Sequence, residues 1–188
     1  MDWEKVMVYY YKNGSWFKGE FVKGIKEGKG IVVFADGSRY EGDFKNNIRE
    51  GNGFLLFNNG SRYEGEFRNN LREGKGKLLY NNGDVFEGYY ERDKPNGKGI
   101  YIFSDGEIYE GDFKNEVREG KGKYFYNNGD IYEGEFKNGE REGKGTIFYG
   151  NGDKFVGNFV NNLKSGKGIT ILVNGIIYQT EYENDESI

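Results

Sequence analysis

The chain has 188 residues, of which 35% are hydrophobic and 32 are glycine, and its formal net charge is −4 at pH 7. Aromatic residues make up about half of the hydrophobic share, so a layered globule around an aliphatic core is excluded. The chain contains no histidine and no cysteine, which excludes a disulfide framework, a thiolate metal site and any catalytic arrangement that uses His or Cys.

An aromatic residue followed two places later by glycine recurs every 23 residues. The seven pairs are Phe17 and Gly19, Tyr40 and Gly42, Tyr63 and Gly65, Phe86 and Gly88, Tyr109 and Gly111, Tyr132 and Gly134, and Phe155 and Gly157. An eighth aromatic, Tyr178, keeps the spacing but has Thr180 in place of glycine. A fixed period of this length is typical of repeat arrays, so each repeat is numbered from its aromatic residue as position zero.

Each repeat begins with alternating residues, as in Tyr40-Glu41-Gly42-Asp43-Phe44. This period of two predicts a strand with rings and glycine on one face and acids on the other. Residues 46–50 predict a loose loop, and residues 51–57 predict a second strand that ends at the turn signal Asn59-Gly60. The sequence therefore predicts an all-β fold, an elongated, twisted single-layer antiparallel sheet of about seven to eight 23-residue β-hairpin repeats.

Glycines recur on the face that carries the rings. Gly42 lies between Tyr40 and Phe44 on the same predicted face, and Gly53 belongs to the second strand. Bare glycine leaves room on which neighbouring rings can lie flat. Repetition predicts a continuous aromatic trough along the array.

The opposite face carries acids at positions one and three and often lysine at position twelve. If the hairpin register sets position three against position twelve, Glu66 faces Lys75 and Glu135 faces Lys144 as exposed ion pairs.

The period predicts one array over residues 1–182, with a half-repeat at 1–16 and an acidic tail at 183–188. The repeats begin near residues 17, 40, 63, 86, 109, 132 and 155, and a partial repeat begins at 178. The repeat at Phe86 departs from the others, because Tyr89 stands where an acid belongs and Pro95 replaces the usual Lys or Arg. Drift in one loop and a recognition point or fixed bend both remain open for this repeat.

The pattern Tyr-Glu-Gly-Glu-Phe, Gly-Lys-Gly and Asn-Gly stands at residues 132–136, 143–145 and 151–152. Over about residues 5–182 the chain resembles an array of MORN (membrane occupation and recognition nexus) repeats. The resemblance implies stacked hairpins in a curved, groove-bearing sheet and a role as scaffold or adaptor, as in myosin-tail adaptors, junctional membrane proteins and cytoskeletal ring components. Phosphoinositide binding is often ascribed to this family, and homodimerisation through terminal repeats occurs in some members, but neither property follows from the motif itself.

Catalytic signals are weak. Tripeptides such as Gly28-Lys29-Gly30 have neither dinucleotide-binding nor Walker spacing. Carboxylate pairs such as Glu64 and Glu66 recur in nearly every repeat, which favours a solvated face over an acid–base pair. We therefore expect no enzyme, no catalytic residue, no metal site and no cofactor.

Binding is the expected function. The chain is predicted to be a non-enzymatic scaffold or adaptor that binds a helix or an extended peptide along the aromatic, glycine-floored groove, in a cytoskeletal or membrane-associated complex. The predicted partner-binding residues are Tyr40, Phe44, Tyr63, Phe67, Tyr80, Phe86, Tyr90, Phe103, Tyr109, Phe113, Tyr126, Tyr132 and Phe136.

The alternative is a peripheral membrane protein that binds anionic phospholipids or phosphoinositides through a basic loop edge. That edge consists of Arg49, Arg72, Lys75, Lys98, Arg118, Lys121, Arg141 and Lys144. Homodimerisation through an open sheet edge is also left open, whereas the negative net charge argues against a nucleic-acid partner. Without a signal peptide or a long apolar run, we expect a cytoplasmic protein, with attachment to membrane or cytoskeleton left open.

Overall fold

The computed structural model describes residues 5–188, which form β-strands and no helix. Every strand pairing within this range is antiparallel and joins strands that are neighbours in the chain. The predicted all-β class of antiparallel hairpin repeats is confirmed. No helix in the described range could therefore serve as a membrane-spanning segment.

The strands fall into two compact units, residues 1–94 and 95–188. The first unit contains β1 (Lys5–Tyr10), β2 (Trp16–Val22), β3 (Ile25–Val33), β4 (Arg39–Lys45), β5 (Ile48–Leu56), β6 (Arg62–Arg68), β7 (Leu71–Leu79) and β8 (Val85–Glu91). The second unit contains β9 (Lys94–Ile102) except for its first residue, followed by β10 (Ile108–Lys114), β11 (Val117–Phe125), β12 (Ile131–Lys137), β13 (Glu140–Phe148), β14 (Lys154–Val160), β15 (Leu163–Ile171), β16 (Ile177–Glu183) and β17 (Glu186–Ser187). Within each unit the strands follow one another as an open meander.

The register sets glycine against glycine. Gly42 lies opposite Gly53 in its own hairpin and opposite Gly30 of the preceding repeat. Tyr40 lies opposite Leu55 on one side and Val32 on the other. Directly opposed residues share a face of the sheet, so position zero and position fifteen lie on the same side.

The connection between the two strands of a repeat is a tight turn, and the loose loop expected at residues 46–50 was wrong. β4 ends at Lys45 and β5 begins at Ile48, so Asn46 and Asn47 alone form the turn. Their φ angles are 51° and 69°, and positive φ at both central residues is the type I′ geometry that suits a two-residue hairpin. Asparagine tolerates this left-handed region, and the second strand therefore begins three residues before the expected Gly51.

The connection between repeats is the expected Asn-Gly turn. The amide of Phe57 donates to Ser61 O at 2.9 Å, and the amide of Gly60, with φ of 89°, donates to Phe57 O at 3.0 Å. The side chain of Asn59 accepts a hydrogen bond from the Ser61 amide at 2.9 Å. These bonds are those of a three-residue loop with glycine in the left-handed region.

A β-bulge at position three changes the expected ion pairs. The register shifts between Gly65 and Phe67, and the Glu66 carboxylate accepts a hydrogen bond from the Lys75 amide at 3.0 Å. Lys75 itself lies opposite Tyr89 of the next repeat. Likewise Lys144 lies opposite Asn158 of the next repeat, so the expected pairing with Glu135 was also wrong.

Ion pairs between positions twelve and three join consecutive repeats instead. Lys29 lies 2.5 Å from Asp43, and Lys98 lies 2.8 Å from Asp112. The cause is the bulge, because its extra residues move position twelve away from position three of the same hairpin.

The two ends of the array differ from its middle. β1 lies in the expected half-repeat, of which residues 1–4 fall outside the described residues. Residues 183–188, expected as an acidic tail, include the end of β16 and the short strand β17, which pairs with it.

Candidate partner-binding face

Rings at positions zero and four form a ladder on one face of the sheet, here called the ring face. The Tyr40 ring lies 5.3 Å from Phe44 of its own repeat and 4.9 Å from Phe67 of the next, with interplanar angles of 87° and 81°. The same zigzag runs from Phe21 to Phe86 within the first unit and from Phe113 to Tyr182 within the second. Edge-to-face pairs are worth about 0.5–1.5 kcal/mol each beyond the area they bury. The ladder is therefore a rigid and stabilising element of each unit.

Glycine makes room for the ladder. A Cβ atom added at Gly42 would lie 2.5 Å from Gly53 Cα and 2.5 Å from the Tyr40 hydroxyl. That hydroxyl donates a hydrogen bond to the Asp43 carbonyl at 3.0 Å. Burial raises the pKa of Tyr40 above its ordinary value, and the pKa of Tyr63 is raised for the same reason. The ring is thus held flat over the glycine pair as a neutral phenol.

A cation at position nine covers the ladder. The Arg49 guanidinium carbon lies 5.4 Å from the ring centres of Tyr40 and Phe67 and 5.8 Å from that of Phe34. The ammonium of Lys164 lies 4.6 Å from the Phe155 ring. Such cation–π contacts are worth about 0.5–2 kcal/mol. The members of the set are Lys26, Arg49, Arg72, Arg118, Arg141 and Lys164.

The same arginine ties each repeat to the next. Arg49 Nη2 donates to Asn70 O at 2.5 Å, and the Arg49 amide donates to Asn70 Oδ1 at 2.8 Å. The Asn70 amide returns a hydrogen bond to Arg49 O at 3.1 Å. Beside it, the Glu50 carboxylate accepts a hydrogen bond from the Asn69 amide at 3.0 Å. The Arg-Glu pair at positions nine and ten therefore satisfies the polar groups of the next tight turn.

A second row of side chains lies at position seventeen, directly before each Asn-Gly turn, and is here called the outer row. It consists of Phe34, Phe57 and Tyr80 in the first unit and Phe103, Tyr126, Tyr149 and Leu172 in the second. All seven are half-buried. Because Phe34 contacts Arg49, the row lies on the ring face, where its rings remain accessible.

The structure divides the thirteen predicted partner-binding residues into two groups. Ten of them belong to the ladder and are 0–6% exposed, namely Tyr40, Phe44, Tyr63, Phe67, Phe86, Tyr90, Tyr109, Phe113, Tyr132 and Phe136. The other three, Tyr80, Phe103 and Tyr126, are half-buried members of the outer row. A partner on the ring face can therefore reach the outer row more readily than the ladder.

The eight predicted lipid-binding residues lie on two different faces. Arg72 is opposite Phe67 and its side chain is 15% exposed over the rings. Lys98 at position twelve is 68% exposed and pairs with Asp112 on the opposite face. The four arginines of the set are all at position nine and lie over the rings, as Arg72 does. The four lysines are all at position twelve, as Lys98 is. Because side chains alternate between the two faces of a strand, the odd spacing between positions nine and twelve could have predicted that they lie on opposite faces.

Each unit also has a shallow groove on the face opposite the rings. In the first unit it has a volume of about 740 Å³ and is lined by glycines, by Ile31 and Phe54, and by charged residues such as Lys29 and Glu41. The groove of the second unit is smaller, about 430 Å³. Mixed charges and glycine make this face less apolar than the ring face.

The repeat that begins at Phe86 lacks the position-nine cation. Pro95 is buried, and its carbonyl accepts a hydrogen bond from the Glu116 amide at 2.8 Å. Having no N–H group, it cannot donate to the next turn as Arg49 does. Tyr89 is 44% exposed, with the Lys75 ammonium 5.6 Å from its ring centre.

Carboxylates along the strands do not converge. Within residues 5–188, no group of three or more Asp or Glu side chains is placed to hold a metal ion. The arrangement instead offers a rigid apolar row flanked by half-buried arginines, which is the chemistry of a binding surface.

A hairpin array with these repeated rings and glycines is a β-repeat protein. The model of the MORN repeat family matches residues 17–39, 40–62, 63–85, 86–108, 109–131, 132–154 and 155–176. The chain belongs to the MORN repeat family, as its sequence pattern predicts. A search of curated proteins found no match.

The solved structures that are similar to this chain include two domains of CPAP proteins. The TCP10 domain of Danio rerio CPAP has a TM-score of 0.58 and 11% identity, over 93% of this chain and 83% of that one. The TCP domain of Drosophila melanogaster SAS-4 (dCPAP), solved in complex with a proline-rich motif of Ana2 (dSTIL), has a TM-score of 0.54 and 17% identity, over 94% of this chain and 90% of that one. At these identities the similarity concerns the fold.

Proposed function

We propose that this MORN repeat protein is a non-enzymatic scaffold or adaptor that binds a helix or an extended peptide of a protein partner along the ring face. The outer row carries the proposal, because its rings are half-buried and stand beside a ladder that fixes the sheet. Rigid aromatic side chains provide contact area at a low cost in conformational entropy. A cytoskeletal or membrane-associated complex is the setting that we propose.

The comparisons support protein binding. One domain of similar fold was solved with a proline-rich motif of its partner, so a sheet of this kind is able to present a peptide-binding surface. For the present chain, the ladder is the foundation of the surface. Direct contact falls to the outer row and to the arginines at position nine.

Affinity capture from cells that express the protein tests this proposal. The ring-face variants are Phe57→Ser with Tyr80→Ser in the first unit, and Phe103→Ser with Tyr126→Ser in the second. The matched control, Phe54→Ser with Leu56→Ser, changes half-buried side chains at positions fourteen and sixteen, on the opposite face. Circular dichroism melting checks that every variant is folded.

We expect one stoichiometric protein that wild type and control retain and that at least one ring-face variant loses. Retention by the ring-face variants and loss by the control would place the binding surface on the other face and overturn the proposal.

Anionic lipid binding is the second candidate function, and the exposure of the lysines at position twelve favours it. Lys98 and Lys29 are 68% and 71% exposed, although each also pairs with an aspartate. Flotation with phosphoinositide vesicles tests it, beside a variant with Lys75, Lys121 and Lys144 changed to Gln. If wild type floats with the vesicles and this variant does not, the result would favour anionic lipid binding.

Homodimerisation has a candidate surface in β1. Its residues Val6, Met7, Val8, Tyr9 and Tyr10 are 44–74% exposed, and within the described chain β1 pairs with β2 alone. An apolar edge strand with unpaired backbone groups is a template for pairing with a second copy. We propose β1 as the dimer edge, to be tested by light scattering with Val8→Lys, which should convert a dimer into a monomer.

A further inference from the structure

Two successive repeats of the second unit have an aromatic residue at position fifteen. They are Tyr101 and Tyr124, whereas the other complete repeats have aliphatic residues or threonine there, namely Val32, Leu55, Leu78, Ile147 and Thr170. With Phe103 and Tyr126 of the outer row they form a four-ring cluster. The distances along the cluster, from Tyr101 to Phe103, to Tyr124 and to Tyr126, are 4.6, 5.8 and 4.5 Å between ring centres.

The four-ring cluster differs from the ladder in geometry. Its interplanar angles are 52°, 39° and 37°, whereas Tyr109 and Phe113 of the ladder meet at 88°. Tyr101, Phe103 and Tyr126 are half-buried and Tyr124 is 9% exposed. Three of the four rings are therefore partly accessible to a ligand.

Position twenty-one carries carboxylates in the same part of the chain. In the first unit the Ser61 hydroxyl accepts a hydrogen bond from the Asn81 amide of the next repeat at 3.1 Å. In the second unit the Asp130 carboxylate accepts the equivalent bond from Gly150 at 2.8 Å, and Glu107 accepts it from Asn127 at 3.4 Å. Because serine makes this bond without a charge, the turn does not require the carboxylate.

These turns form an acidic edge beside the cluster. Segments 104–107, 127–130 and 150–153 contain Asp105, Glu107, Asp130 and Asp153 and no lysine or arginine. The corresponding segments of the first unit contain two acids, Asp36 and Asp84. Within the described residues, none of the four carboxylates of the acidic edge forms an ion pair.

The acidic edge and the four-ring cluster are directly connected. The Tyr124 hydroxyl donates a hydrogen bond to Glu107 Oε2 at 2.5 Å. A ligand that lies across the rings therefore comes within reach of the Glu107 carboxylate, and also of Arg118, whose guanidinium carbon lies 5.3 Å from the Tyr124 ring centre.

We infer that the four-ring cluster and the acidic edge bind a basic, proline-bearing extended segment of a protein partner, an assignment that rests on the proposed function and narrows it. Proline-rich chains are preformed polyproline II helices that dock in aromatic-lined grooves. The charge of the edge selects lysine or arginine in the segment.

Fluorescence anisotropy of the full chain with a labelled synthetic peptide tests the inference. The probe is a twelve-residue proline-rich peptide with three arginines, compared with the same peptide carrying glutamates and with a basic Ala/Lys helix of equal length. One variant combines Tyr101→Val with Tyr124→Leu, and a second combines Glu107→Ser with Asp130→Ser. Each change introduces the residue that another repeat has at that position, so folding should be retained. Leu55→Val in the first unit is the control.

We expect the arginine peptide to bind, with affinity that falls as salt rises, and the control to bind equally. Each double variant should weaken binding about tenfold or more, in line with the loss of aromatic or charged contacts at an interface. Equal binding by wild type and both double variants, no binding of the arginine peptide, or preferential binding of the basic helix would overturn the inference.

Capture from cells separates this inference from the function on which it rests. If the arginine peptide does not bind, but a captured partner is still lost from the outer-row variants, the scaffold proposal stands. The inference that the ligand is a basic extended segment is then wrong. If neither the peptide nor any protein depends on the ring face, both are wrong.

Discussion

The inner ladder and the outer region of the ring face follow different rules. In the ladder, position zero is Phe or Tyr in all seven complete repeats and is 0–1% exposed. At position fifteen, by contrast, the residue changes from Val32 and Leu55 to Tyr101 and Tyr124. Position fifteen is also largely buried, because Val32, Leu55, Leu78, Tyr124 and Ile147 are 5–9% exposed, so burial alone does not explain why position zero is uniform.

The physical reason is that each ladder ring depends on several other repeated residues. Tyr40 needs bare backbone at Gly42 and Gly53 and is covered by Arg49. A substitution at one of these positions disturbs the packing of the others, whereas a substitution at Tyr101 affects a surface that solvent already reaches. Exceptions to the repeat are thus the better guide to function.

Replacing a floor glycine should have the largest effect on stability. In Gly42→Val the new Cβ would lie 2.5 Å from both Gly53 Cα and the Tyr40 hydroxyl, so strand and ring cannot both keep their places. We expect a loss of more than about 4 kcal/mol in the free energy of unfolding, measured by urea denaturation. Gly60→Ala is the control, because open space surrounds its Cβ and only its φ of 89° opposes the change, at a cost of about 1–2 kcal/mol. Equal losses would show that the ladder does not rest on the glycine pair.

Removing a ring should cost more stability in the ladder than in the outer row. Tyr40→Ala deletes a fully buried ring, and we expect a loss of about 3–5 kcal/mol. Phe57→Ala in the outer row deletes a half-buried ring and should cost about 1–2 kcal/mol. Chemical denaturation of both variants measures the difference. Similar losses would mean that the outer row is also part of the core.

Removing the cover of the ladder should have an intermediate effect. Arg49→Ala deletes cation–π contacts with three rings and the hydrogen bond to Asn70 O, for a loss of about 1–3 kcal/mol. Arg49→Lys should lose less, because Lys26 and Lys164 lie over rings at the same position in other repeats. Thermal and urea melts of the two variants give the ranking, and a greater loss for lysine than for alanine would contradict it.

Much of the fold follows from the sequence because its signals are local. The 23-residue period, the alternation around Tyr40 and the pair Asn59-Gly60 predict repeat length, face and one turn, and the structure has all three. The second turn was missed because Asn46-Asn47 contains no glycine, although both residues adopt positive φ.

The placement of charges could not be predicted as readily. It depends on the bulge at position three, a register shift that pairs Lys75 with the next repeat. It also depends on Arg49 reaching Asn70, 21 residues further along the chain. Contacts of this kind require the register of two repeats at once, which the pattern of a single repeat does not contain.

Removing a hydroxyl at the boundary between ladder and surface should have the smallest effect. Tyr124→Phe deletes the hydrogen bond to Glu107, and at pH 7 the expected loss is about 1 kcal/mol or less. Burial, followed by the hydrogen bond to Glu107, raises the pKa of the Tyr124 phenol above its ordinary value.

Because the folded pKa lies above the unfolded value of about 10, the neutral phenol stabilises the folded chain fully below pH 10, and this contribution is lost as pH rises through the folded pKa. Tyr124→Phe should therefore lose less stability than wild type between pH 9 and pH 11. Urea melts across this range, with tyrosinate absorbance recorded in parallel, measure the difference. An identical alkaline decline in both proteins would show that Tyr124 ionises as freely in the folded chain as in the unfolded one, and would remove the link between the four-ring cluster and the acidic edge.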